Sequence, residues 1–181
     1  MIARIALAAA LVAAAPAARA AIEIAEVTSP GGVTAWLYEE TSIPIVTIEA
    51  SFRGGAALDP EGEAGAASLM AALLSQGAGD YDATAFAEAA ESLAARFGFS
   101  AGRDAVTVSA TMLLENLEPS LELLRRAIVE PRFDDAAVER VRARTLAGLR
   151  RDESDPRTLA SRAFYGQAFP GHPYARPADG T

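Results

Sequence analysis

Residues 43–78 read IPIVTIEASFRGGAALDPEGEAGAASLMAALLSQGA, and the fold turns on a change of character halfway along them. The first part carries Ile45, Val46, Ile48 and Phe52 and stops at Arg53-Gly54-Gly55. Its β-branched content predicts a strand from Ile45 to Phe52, because branched side chains suit a pleated surface. Across residues 62–76 Ala, Leu and Met take over, all good helix formers. Small or apolar residues surround most of that axis, so the helix should be buried on several sides. Gly77 and Gly79 end it.

Upstream, strands from Ile22 to Val27 and from Val33 to Tyr38 flank Ser29-Pro30-Gly31-Gly32, which reads as a hairpin. Downstream, Asp82 is the N-cap of a helix running to about Ala95, with Phe86, Ala89, Ala90 and Leu93 on one face. Two strands follow, Phe97–Ala101 and Ala105–Thr111, separated by Gly102-Arg103-Asp104. A helix over roughly 114–128 shows Leu114, Leu117, Leu121, Leu124 and Ile128 at helical spacing, the clearest apolar stripe in the chain. After the Pro131-Arg132-Phe133-Asp134 turn, Val138, Val141, Thr145 and Leu149 line the inner face of a helix over 135–151, with Arg140, Arg144 and Arg151 outside. Asp155-Pro156 breaks it and starts a last helix to about 168, before the loop PGHPYARPADGT. No regular βαβ alternation and no repeat is present. The expected class is α+β, a largely antiparallel sheet with helices packed on one face. The last strands of such a sheet are expected beyond Thr181.

Composition excludes several chemistries. The chain of 181 residues has no Cys, one His and no Lys, since all 16 basic residues are Arg. Thiolate metal sites, disulfides and lysine-based mechanisms are therefore ruled out. A formal charge of -8 argues against nucleic acid or an anionic membrane as partner. His172 stands alone in a Gly/Pro loop and reads as a residue that shapes that loop. Asp59, Glu61 and Glu63 precede a helix, where carboxylates favour its positive end, and read as capping and solvation. Ser68 and Ser75 have no G-x-S-x-G elbow around them. The glycine pairs lack phosphate-loop spacing.

Residues 1–20, MIARIALAAALVAAAPAARA, read as a cleaved signal peptide. Arg4 supplies the positive start, Ile5–Ala15 the apolar run, and Ala18-Arg19-Ala20 the small-x-small cleavage site. The apolar run is too short to span a bilayer. This implies export to the periplasm and a mature segment over 21–181.

Six segments, in order, carry a resemblance. They are GVTAWLYEE, the strand ending in FRGG, the acidic-proline loop, the helix ending in QGA, the PRFD turn within EPRFDDAAVERVRARTLAGLRRDESDP, and the tail FPGHPYARPADGT. Together they make the mature segment resemble the N-terminal half-domain of the pitrilysin/insulinase family of zinc peptidases, cut short at its C-terminal side. Active members carry His-x-x-Glu-His on the first helix. Two imidazoles four residues apart share a helix face, and the Glu stays near enough to activate the metal-bound water. The resemblance places Ser68 and Ala72 at the two histidine positions and Ala71 at the general base. The later Glu ligand falls at Gly148, or at Leu149 if the spacing differs by one. No catalytic residue, metal ligand or cofactor-binding residue remains.

The resemblance is to the zinc-less subunit of the shorter bacterial members, which pair with a similar zinc-bearing subunit to enclose a peptide. It implies a non-catalytic subunit of an exported heterodimeric zinc peptidase, with zinc in the partner and none in this chain. Two other readings stay open: an active zinc metalloendopeptidase, as the family name suggests, and a solitary exported peptide-binding or scaffold module.

Overall fold

The structure, a computed structural model, describes residues 23–181. The leader read over 1–20, and Ile22 at the start of the first expected strand, lie outside the described residues. The chain divides into two units, up to Ile43 and from Pro44 onward. In the first, β1 (Ala25–Thr28) pairs antiparallel with β2 (Thr34–Leu37), Ala25 opposite Leu37. The Ser29 carbonyl accepts from the Gly32 amide at 2.9 Å, closing the turn that Pro30 and the glycines announce.

The second unit is built on β3 (Ile45–Arg53), β6 (Arg96–Ala101) and β7 (Ala105–Leu113), in the order β3-β7-β6 and antiparallel throughout. The pleat of β7 sorts its residues: Val106, Val108, Ala110 and Met112 are buried, while Thr107, Ser109 and Thr111 between them are half-buried. The buried set takes the helical layer, and Ser51 and Thr107 share a hydroxyl contact of 3.3 Å on the other face. The mixed helix and antiparallel-sheet class is the one expected. At the end of β3 the Gly54-Gly55 turn clasps the β6–β7 turn, with Gly54 donating to the Asp104 carbonyl and Ala56 to that of Gly102. A Cβ on Gly55 would fall against the Gly102 carbonyl oxygen, so the close approach of two backbones demands glycine there.

Among the described residues five helices follow the pattern of the sequence, with corrections. The first, α1 (Ala66–Leu73), begins later than residue 62, because Gly62 and Gly65 take positive φ of 85° and 97° and make the preceding segment a turn. Past its end, Gly77-Ala78 (β4) and Tyr81-Asp82 (β5) form a two-stranded ribbon not foreseen from the glycines alone. Asp82 caps α2 (Ala83–Ser92) as expected, its Oδ1 accepting from the Thr84 and Ala85 amides.

The stripe assigned to the next helix needs correction. Residues 114–116 form a 3-10 turn, and α3 spans Leu117–Val129. Its buried positions are Ser120, Leu123, Leu124 and Ala127, while Leu114, Leu121 and Ile128 are exposed. Small Ser120 and Ala127 let the helix approach β7 and β4 closely, so tertiary fit selects a face rotated from the leucine stripe. Beyond it, α4 (Asp135–Asp152) buries Ala137 and Val141, and α5 (Pro156–Ala168) starts at an Asp155 cap with proline in the first turn.

Two apolar clusters bind these layers. Val108, Ala110, Met112, Ala95 and Leu124 form one; Phe86, Leu123, Ala127 and Ala78 form the other, with Phe97 and Phe99 packed against both. Helix α1 packs on β6 and on α4. That last contact is the one that matters for function.

Candidate functional site

Helix α1 starts without a side-chain cap of its own, since Gly65 holds the N-cap position. Asp59 supplies the cap from a distance. Its Oδ2 accepts from the Gly65 amide at 2.7 Å and its Oδ1 from the Ala67 amide at 3.0 Å, and the residue is buried. A carboxylate there satisfies two otherwise orphaned N–H groups at the positive end of the helix. Glu61 and Glu63 stay exposed.

Across α1 runs the tail 176–180. Gly180 lies so close to Gly65 that a Cβ on Gly65 would sit 2.8 Å from the Gly180 Cα, and both glycines hold positive φ. Ser68 donates its hydroxyl to the Ala178 carbonyl at 2.9 Å. A serine within a helix ordinarily turns back to a carbonyl one turn earlier. The tail competes for the hydroxyl and wins, tying residues 110 positions apart. Ala71 is 1% exposed and Ala72 half-buried, so the position that the resemblance gives to the general base is a methyl group inside the core.

Helix α4 brings Gly148 and Leu149, both half-buried, to the same neighbourhood. Between the two helices, Ala66 and Leu69 face Thr145, Leu146 and Leu149 across a cavity of about 300 Å3 bounded also by the 179–181 tail. The fold thus packs together the two helices on which the resemblance places the ligand positions. Zinc does not fit this side-chain set. Ala72 offers a methyl, Gly148 offers nothing, and the one oxygen, on Ser68, is already donating to a carbonyl. Among the described residues no group of three or more His, Cys, Asp or Glu is placed to hold a metal.

His172 lies in the tail, where its Nδ1 accepts from the Tyr174 amide at 3.2 Å and its ring meets that of Tyr174 edge-on at 4.7 Å. Its work is local, shaping the turn over Pro173–Ala175. Next to it the Tyr174 hydroxyl donates to Asp104 at 2.6 Å, and that bond raises the tyrosine pKa above its ordinary value.

One cluster of side chains has no local sequence signature. Arg103, Arg157, Arg162 and Arg176 converge on a hollow beside α5, from three separate parts of the chain.

Against known proteins, residues 36–181 match the family described as insulinase (peptidase family M16). The chain is 30% identical over 146 residues to a protein of Helicobacter pylori named non-peptidase homolog YmxG, covering 80% of this chain and 34% of that protein. The solved structure of a peptidase M16 inactive domain from Pseudomonas fluorescens is 28% identical, with a TM-score of 0.81, over 87% of this chain and 39% of the other. A solved protease from Helicobacter pylori has the same fold at 18% identity and a TM-score of 0.76, over 88% and 38%. The chain therefore spans between a third and two fifths of the length of these relatives. Neighbours named as non-peptidase and inactive, together with the side chains of α1 and α4, fit a non-catalytic module without a cofactor of its own.

Proposed function

The chain belongs to the insulinase family, peptidase family M16, and from that premise we propose that it acts as the non-catalytic subunit of an exported heterodimeric zinc peptidase. Its work is to help enclose and bind a peptide that a similar, zinc-bearing subunit cleaves. The observation that carries this reading is α1 itself. The fold keeps the helix and its packing against α4, while the positions that the family resemblance gives to the metal and base residues hold Ser68, Ala71 and Ala72. A chain that served only as a catalyst would have no use for the scaffold once the ligands were gone.

Sheet geometry supports the peptide-binding part of this reading. Among the described residues β6 pairs on one side only, with β7, and an unpaired strand edge accepts an extended peptide through main-chain bonds. Export to the periplasm rests on the leader read over residues 1–20. Catalysis by this chain alone is disfavoured by chemistry, since a methyl group neither binds zinc nor moves a proton.

The test is co-purification of the full-length protein from the periplasm. The reading expects a companion chain bearing His-x-x-Glu-His, with peptide hydrolysis lost when either chain is missing. A persistent monomer in native mass measurement overturns the pairing and leaves the solitary binding or scaffold module.

A further inference from the structure

One face of α5 presents Arg157, Ser161 and Arg162 to a cavity of about 260 Å3, closed on its other sides by Arg103 from the β6–β7 turn and Arg176 from the tail. Arg157 and Ser161 are four apart and share a side of the helix, and Arg162 follows Ser161 on the wall of the hollow. Arg176 is held in place by the Ala57 and Pro60 carbonyls, at 3.2 and 3.3 Å. Arg103 lies over the Tyr165 ring at 3.7 Å, and its Nε–H is buried without a hydrogen-bond partner.

Ion pairs among the described residues use Arg125, Arg126, Arg132 and Arg142, and none of the four around the hollow. The one carboxylate on its wall is Asp179, which leaves a clear positive excess in a chain of net charge -8. Four guanidiniums gathered around a small space repel one another, and a buried N–H without an acceptor is costly. An anion entering the hollow relieves the mutual repulsion of the guanidiniums. Guanidinium forks match the planar oxygens of carboxylate and phosphate, and the Ser161 hydroxyl adds a further donor.

We propose that this hollow is a binding site for a single oxyanion group. Its volume suits one phosphate or one acidic side chain and is too small for a nucleotide. Free phosphate and the carboxylate of a peptide share this chemistry. The site does not depend on the metal helix or on a partner subunit, so its failure would leave the proposed function standing.

Titration calorimetry on the full-length protein separates the sources, using inorganic phosphate, a tetraglutamate peptide, and tetraglutamine as the uncharged control. Saturable binding of phosphate or tetraglutamate, with none for tetraglutamine, is expected. Phosphate binding alone identifies a free anion, and tighter tetraglutamate binding identifies an acidic peptide. Replacing Arg157 and Arg162 by Gln should weaken the bound probe at least about tenfold, as loss of charge-assisted bonds does. The single variant Arg157→Gln should weaken it by a smaller factor, a check that holds if the double variant misfolds. Absence of binding by both anions, binding of tetraglutamine as tight as that of tetraglutamate, or an unchanged affinity in the variants overturns the proposal.

Discussion

Helix α1 and the hollow beside α5 lie on either side of the same tail, and they treat polar groups in opposite ways. On α1, the positions that resemble a metal site hold methyl groups and one hydroxyl, and that hydroxyl is satisfied by Ala178. Around the hollow, charged side chains from distant segments gather without acidic partners. The contrast teaches how differently one fold can treat polar groups. On α1 the packing is ordinary, with no orphaned polar atoms at the positions that the resemblance gives to metal ligands. A region that keeps unbalanced charge stores a demand for a ligand.

The largest expected effect comes from forcing the polar chemistry back into α1. Ala71→Glu puts a carboxylate at a position 1% exposed. Burying an unpaired acid should cost about 3 kcal/mol or more, read as a lower denaturation midpoint. Tolerance of this substitution without metal would break the account of α1 as core. Asp59→Ala removes both bonds to the helix start and should cost about 1–2 kcal/mol by the same measurement.

A smaller loss, about 1 kcal/mol, is expected for Ser68→Ala, which frees the Ala178 carbonyl and loosens the tail over α1. Ser120→Ala supplies the opposite sign. The Ser120 hydroxyl is buried with no partner, so removing it should raise stability by a comparable amount. Chemical denaturation of the two variants side by side tests whether hydrogen-bond satisfaction, rather than serine as such, decides the outcome.

The smallest effect sharpens the meaning of unpaired arginines. On α3, Glu122 lies between Arg125 and Arg126, whose bonds to its carboxylate hold its pKa down from 4.5 to about 2. A pKa depressed in the folded state means stability that is present above pH 4.5 and lost as pH falls toward 2. Because the trio is exposed, the loss should be slight, and Glu122→Gln should flatten that part of an acid-denaturation profile. A profile unchanged by the substitution would show that these arginines gain nothing from their partner.

Much of the fold was legible because local rules and tertiary packing agree. Strand β3 carries its branched residues, Asp82 and Asp155 cap the helices they precede, and the alternation in β7 matches its buried face. Where packing overrode pattern, reading failed. Leu121 and Ile128 belong to the best-looking stripe yet are exposed, because small Ser120 and Ala127 set the approach of α3. The ribbon of β4 and β5 was hidden by glycines that signal a helix stop just as well. On α1, the partner of Ser68 was not legible, since it lies 110 residues away. The arginine hollow was invisible for the same reason. Arg103, Arg157 and Arg176 become neighbours only after the β6–β7 turn, α5 and the tail are folded together.

The central claim is that the family's metal helix is present here without its metal. Its most direct test is elemental analysis of the full-length protein after exposure to zinc and dialysis, with peptidase activity assayed on the same sample. The account predicts zinc well below one equivalent per chain and no hydrolysis in the absence of a partner. One tightly held zinc per chain, together with peptide cleavage by that chain alone, would contradict it.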